Sequence, residues 1–172
     1  MNTMKNRRKS RLLGLLSLLI VINPCWAEGL CKKNEKVIFS FATKAKRNLS
    51  ICKDTENGYL VYRYGSTERI EMQYPDVLDK NSWDAFTFSG MKRAGGKANA
   101  GFGDYDLSFS RDGFDYSVFQ MWNDEDGTYA IGVVVRNEKT ERKTRIDGLR
   151  DTQKGSLVLL DEERNYIENT AM

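Results

Sequence analysis

The residues able to do chemistry in this 172-residue chain are defined first by one that is missing, since the sequence has no histidine. Ser-His-Asp and Cys-His hydrolysis, the usual zinc hydrolase centres and histidine general-base catalysis are thereby excluded. Carboxylate chemistry is what remains. A glycosidase-type pair of acids is compatible with 24 Asp+Glu, but the two members of such a pair come from separate elements, so no spacing identifies them. The run Asp124-Glu125-Asp126-Gly127 gathers oxygen ligands, yet a calcium loop spreads its ligands over about 12 residues and closes with a bidentate acid. A hairpin turn between Trp122 and Tyr129 is the expectation there, and no metal or cofactor is expected.

The other chemically distinctive stretch runs from Ser89 to Asp104 and holds five glycines, three alanines and the cations Lys92, Arg93 and Lys97. A glycine-rich loop approaches a partner closely, and its cations suit carboxylates. Ser89, Gly90, Lys92, Arg93, Gly95, Gly96 and Lys97 are the candidate partner-binding residues, with a solvated β-connection as the alternative. Gly95-Gly96 and Gly101-x-Gly103 do not open a helix after a strand, so a phosphate-binding loop is not indicated. Tyr59, Tyr62, Tyr64 and Tyr74 could form a sugar platform, but aromatic residues at period two are expected to be cross-strand pairs.

The cysteines and the amino-terminal segment speak to compartment. Lys5, Arg7, Arg8, Lys9 and Arg11 precede an apolar run from Leu12 to Ile22, which Asn23 and Pro24 end. About 11 apolar residues are too few to span a bilayer, which needs about 20. With Cys25-Trp26-Ala27 following, residues 1–27 read as a secretion signal cleaved after Ala27. An uncleaved anchor and lipidation at Cys25 are the alternatives, although Ile22-Asn23-Pro24 lacks the small residue that should precede a lipid-modified cysteine. Residues 28–172 then form a single exported domain, periplasmic or secreted, with no stable membrane span. Removing the five basic residues of the signal from 27 Lys+Arg leaves 22 against 24 Asp+Glu, a net charge of about −2, so the apparent basicity gives no case for nucleic acid. Cys31 and Cys52 remain as an even pair bound for an oxidising space, which reads as a disulfide.

The elements that must position these residues follow a period of two. Val37, Phe39 and Phe41 alternate in Glu35 to Ala42, and Leu49 and Ile51 lead to Cys52. Gly58 to Gly65 follows, then Ile70, Met72 and Tyr74 up to Pro75. Phe86 and Phe88, then Tyr105, Leu107 and Phe109, lead to an Asp112-Gly113 turn. Phe114, Tyr116 and Val118 precede Asp126-Gly127. Ile131, Val133, Val134 and Val135 suggest a central strand buried on both faces, with a charged partner at Lys139 to Arg145. The expectation is an all-β fold, an antiparallel β-sandwich or flattened barrel of about eight strands, preceded by a helical signal peptide.

The order Val37-Ile38-Phe39-Ser40, Ser50-Ile51-Cys52, Tyr59 to Gly65, Ile70-Glu71, Tyr74-Pro75, Arg93 to Asn99, Phe114 to Val118 and Ile131 to Val135 resembles a family of small exported bacterial proteins with little assigned function. In size, export, disulfide use and all-β plan the chain is also similar to the periplasmic lysozyme inhibitors, which carry a Ser-Gly-x-x-Tyr loop into the lysozyme cleft. Ser89-Gly90-Met91-Lys92-Arg93 begins that way, with Arg93 in place of the tyrosine. The resemblance implies an exported binding protein whose partner is another protein of the envelope or outside the cell. On that reading it inhibits a lysozyme-like or other envelope-targeting enzyme through residues 89–104. A non-inhibitory structural or ligand-binding envelope module is the alternative, and a carboxylate-based hydrolase a more distant one.

Overall fold

The computed structural model describes residues 29–171, so the expected signal segment lies outside the described residues. Among the described residues there are ten strands: β1 (Glu35–Ala42), β2 (Asn48–Asp54), β3 (Leu60–Gly65), β4 (Ile70–Tyr74), β5 (Thr87–Arg93), β6 (Phe102–Arg111), β7 (Phe114–Asn123), β8 (Thr128–Asn137), β9 (Lys143–Asp147) and the two-residue β10 (Lys154–Gly155). They form two antiparallel five-stranded sheets, ordered β10-β1-β2-β3-β4 and β5-β6-β7-β8-β9. The fold is an all-β sandwich.

The alternating residues face one another across the layers. Phe39, Phe41, Leu49, Ile51, Leu60 and Tyr62 of the first sheet share one core with Phe88, Tyr105, Leu107, Phe109, Val118, Ile131 and Val133 of the second. Phe109 is the aromatic hub. It stacks on Tyr74 at 4.3 Å and on Tyr116 at 4.8 Å, and meets Tyr62 at 5.0 Å. The tyrosines of the first sheet therefore serve packing. Tyr62 and Tyr74 are direct cross-strand partners, Tyr64 packs against the core, and the Tyr59 hydroxyl donates to Glu35.

Asp112 (φ 53°) and Gly113 (φ 78°) make the two-residue turn between β6 and β7, where both central residues need positive φ. Pro75 follows β4 directly. One expectation is corrected. The run Ile131 to Val135 lies in β8, one strand in from the edge of its sheet, and Val134 and Val135 are only half-buried. The strand buried on both faces is β2, whose residues Asn48 to Lys53 are all buried although Asn48, Ser50 and Lys53 are polar. Its outer face is roofed by the segment before β1. There Cys31 is bridged to Cys52, the Leu30 N–H donates to Ser50 Oγ (2.9 Å), and Arg63 Nη1 donates to the Leu30 carbonyl (3.2 Å). Ser50 thus finds its partner under a cover that periodicity does not reveal, and Lys53 pairs with Glu163.

The carboxyl-terminal segment links the two sheets. β10 pairs with β1, a 3₁₀ turn over Leu157–Glu162 buries Leu157 and Leu160, and Asn169 then bridges to Phe88 on β5, the edge of the other sheet. The Asn169 side chain accepts from the Gly90 N–H (2.9 Å) and donates to the Gly90 carbonyl (2.7 Å).

Candidate functional site

Hairpin β5–β6 carries every predicted partner-binding residue, but the loop is shorter than residues 89–104. Ser89, Gly90, Lys92 and Arg93 lie within β5, in register with Asp106, Tyr105, Gly103 and Phe102 of β6, and the connection itself is 94–101. Two of the glycines explain the difference. A Cβ at position 90 would overlap the Tyr105 ring, and one at 103 would overlap the Trp122 indole. Each glycine sits directly opposite the ring it accommodates, so these positions seat aromatic side chains in a regular sheet and do not loosen a loop.

Ser89 is half-buried and Gly90 buried, whereas Lys92, Arg93, Gly95, Gly96 and Lys97 are exposed. Arg93 has an internal task. Its Nε and Nη2 donate to the Ala100 carbonyl (3.2 and 3.0 Å), and its guanidinium lies over Phe102 with 5.0 Å to the ring centroid. The Gly96 N–H donates to the Asn99 carbonyl (2.9 Å), and the Asp124 N–H donates to the Gly101 carbonyl (2.9 Å), tying the loop to the β7–β8 turn. The result is a connection exposed over residues 94–99 and held by hydrogen bonds within itself and to the neighbouring turn, with Lys97 in its exposed part and Lys92 on β5 before it.

Beside this loop opens a groove of about 460 Å³ that the sequence pattern does not reveal. Gln120, Trp122, Asn123, Asp124, Tyr129 and Arg150 line it. Trp122 and Tyr129 are direct cross-strand partners flanking the Asp124–Gly127 turn, and that flanking placement was the one available signal. The Trp122 indole stacks on Tyr105 (5.9 Å, 8° between planes). The Tyr129 hydroxyl donates to Gln153 Oε1 (2.6 Å) and accepts from Gln120 Nε2 (3.0 Å). The Arg150 guanidinium lies 4.0 Å above the Tyr129 ring centroid. Arg150 begins a 3₁₀ turn fixed to β1: the Leu149 N–H donates to the Ala42 carbonyl (2.8 Å), and the Ala42 N–H donates to Thr152 Oγ1 (2.9 Å). In the turn itself, Asn123 Oδ1 accepts from the Glu125 N–H and Asp126 Oδ1 from the Thr128 N–H, which is hairpin-turn bonding.

Titratable groups also gather away from the groove. Asp106 sits on the outer face of the second sheet, hydrogen-bonded to Ser117. Burial drives its pKa up, the Ser117 hydrogen bond opposes this, and the neighbouring Asp104 charge adds to the rise. Cys31, Glu35 and Cys52 place their ligand-type atoms within 4.8 Å of one another. All three are committed, the sulfurs to each other and the carboxylate to Arg63, whose Nη1 and Nη2 reach Glu35 at 2.6 and 2.8 Å.

No helix among the described residues is long and apolar enough to cross a membrane. In comparisons with known proteins, no family model, curated protein or solved structure matches this chain.

Proposed function

We propose that this chain is an exported, non-catalytic binding protein that engages another protein through the end of hairpin β5–β6, in the manner of an inhibitor that places a loop in an enzyme's acidic cleft. The observation that carries this reading is the closure of loop 94–101 by hydrogen bonds while residues 94–99 remain exposed. A loop already held in one shape gives up little conformational entropy on insertion, which is what tight binding through a small contact needs. The Arg93 brace and the Gly96–Asn99 hydrogen bond supply that preorganisation. Lys92 and Lys97 are the exposed cations that remain for a partner's carboxylates, and Arg93 acts through the loop's shape. The Cys31–Cys52 bridge is compatible with work outside the cytoplasm.

The test is affinity and inhibition against a panel of lysozymes and other envelope-degrading enzymes. For a bound partner, the double change Lys92→Ala, Lys97→Ala is expected to weaken binding at least tenfold while leaving the thermal midpoint nearly unchanged, because exposed charges contribute little to folding. Arg93→Ala is expected to slow association by slackening the loop. Affinity unaffected by any of the three changes would remove the hairpin from the interface.

A further inference from the structure

The groove beside the hairpin has a chemistry of its own. We infer that it is a saccharide-binding site, specific for a sugar that carries a carboxylate, with Arg150 as the carboxylate contact, Trp122 as the apolar wall, and Asp124 and Asn123 as hydroxyl partners.

Some of the groups lining the groove are already used. Gln120 is fully engaged: its Oε1 accepts from Ser156 Oγ (2.9 Å) and from the Leu157 N–H (2.8 Å), and its Nε2 donates to Tyr129. The Tyr129 hydroxyl is held on both sides. These two residues are therefore floor. At the rim the position is reversed. The Arg150 guanidinium lies over the Tyr129 ring, 4.0 Å from its centroid, and it has no carboxylate or carbonyl partner among the described residues. Asp124 also lines the groove, with its Oδ2 against Gly101 of the hairpin, and its carboxylate is not paired with Arg150 or any other cation among the described residues. Asn123 uses its Oδ1 on the Glu125 N–H and keeps its amide donors for a ligand.

A guanidinium offers a planar fork that matches a carboxylate. An ionised carboxylate can only accept, so Asp124 requires a donor such as a hydroxyl, and the Asn123 amide can donate to a neighbouring hydroxyl. Vicinal hydroxyls supply both roles at once. The indole of Trp122 provides the apolar surface that the C–H face of a pyranose covers. Competing ligands fit less well. A polyphosphate or nucleic acid would set several negative charges against Asp124, Glu125 and Asp126. A peptide adding itself as a strand needs an unpaired edge, and β7 and β8, which border the groove, are paired with each other along their whole length. The volume of about 460 Å³ is within the range of a small-molecule site.

The experiment titrates the oxidised protein with trigalacturonate and, separately, with the neutral trisaccharide maltotriose, following heat and the Trp122 indole N–H resonance. Trigalacturonate is expected to bind at least tenfold more tightly than maltotriose and to shift the Trp122 resonance. Arg150→Ala is expected to remove that preference, and Arg150→Gln, which keeps a planar donor without the charge, to leave at most the affinity shown for maltotriose. Asp124→Ala should weaken both sugars. Arg150 is exposed, so unchanged thermal midpoints will show that these variants fold. Binding of neither sugar, equal binding of both, or a preference that survives Arg150→Ala would overturn the inference. Lys92→Ala, Lys97→Ala lies outside the groove lining, so the protein-binding and saccharide-binding readings fail separately.

Discussion

Arg63 and Glu35 show what a buried charge demands of a fold this small. Neither side chain exposes any surface, and the guanidinium is shared among Glu35, Gln73 and the Leu30 carbonyl. Burial acts to raise the Glu35 pKa, but hydrogen bonds from Arg63, the Lys32 N–H and Tyr59 outweigh it and leave the carboxyl below its ordinary value. A depressed carboxyl stabilises the folded state above the unfolded pKa, and that stability is lost as the pH falls through the folded value. The melting temperature is therefore expected to drop once the pH goes below about 4, where free glutamate begins to protonate. Glu35→Gln should cost about 3 to 5 kcal/mol at neutral pH by stranding Arg63, and should flatten that acid limb. Denaturant melts of both proteins at several pH values check it. Asp106 has the opposite sign: its raised pKa makes the charged form a burden above that value. Asp106→Asn is accordingly expected to stabilise the protein near neutral pH, with the gain fading on acidification.

At the level of elements, the second sheet is built on glycine–aromatic pairs placed opposite one another: Gly90 with Tyr105, Gly103 with Trp122, and Gly132 with Phe119. Gly103→Ala forces the Trp122 indole off its seat, so a loss of about 1 to 3 kcal/mol is expected from overpacking, measurable by thermal unfolding. Since Trp122 also lines the groove, the same change should move its indole resonance. The strands themselves were legible because alternation is imposed by one buried face, and the Asp112-Gly113 turn because its φ values restrict residue choice. What alternation could not convey was a second covered face. Ser50 lies on the face opposite Leu49 and Ile51, yet it is buried beneath the disulfide-tethered segment, and Lys53, on the same face as those two, is buried beside Glu163. A glycine also reads the same in a loop and under a ring, which is why Gly90 and Gly103 suggested a loop that β5 and β6 in fact occupy. The groove was less legible still, because Arg150 reaches Tyr129 only through a 3₁₀ turn anchored on the other sheet.

For the molecule as a whole, the segment after β9 is the only described stretch that joins β1 of one sheet, on which it lays the edge strand β10, to β5 at the edge of the other. Leu157, Leu160 and Ile167 are buried in the shared core, and the Leu157 N–H and Ser156 hydroxyl satisfy Gln120, which is itself buried. Asp161 accepts from the Tyr105 hydroxyl (2.8 Å) and from Asn169, so the strap is also wired into β6. Three large aliphatic side chains contribute about 1.5 to 3 kcal/mol each when buried. Their combined loss is comparable with the about 5 to 15 kcal/mol that holds a whole domain together. A chain ending at Gly155 is therefore expected to show no cooperative melting transition. Asn169→Ala is the milder version. It leaves the Gly90 N–H and C=O unpaired at a buried position and should cost about 1 to 3 kcal/mol while unfolding stays cooperative. Because Gly90 lies in the strand that supports loop 94–101, the same variant should raise hydrogen exchange along β5 more than along β7. A chain ending at Gly155 that melts as sharply and as high as the full protein would mean that the two sheets hold one another through their faces alone.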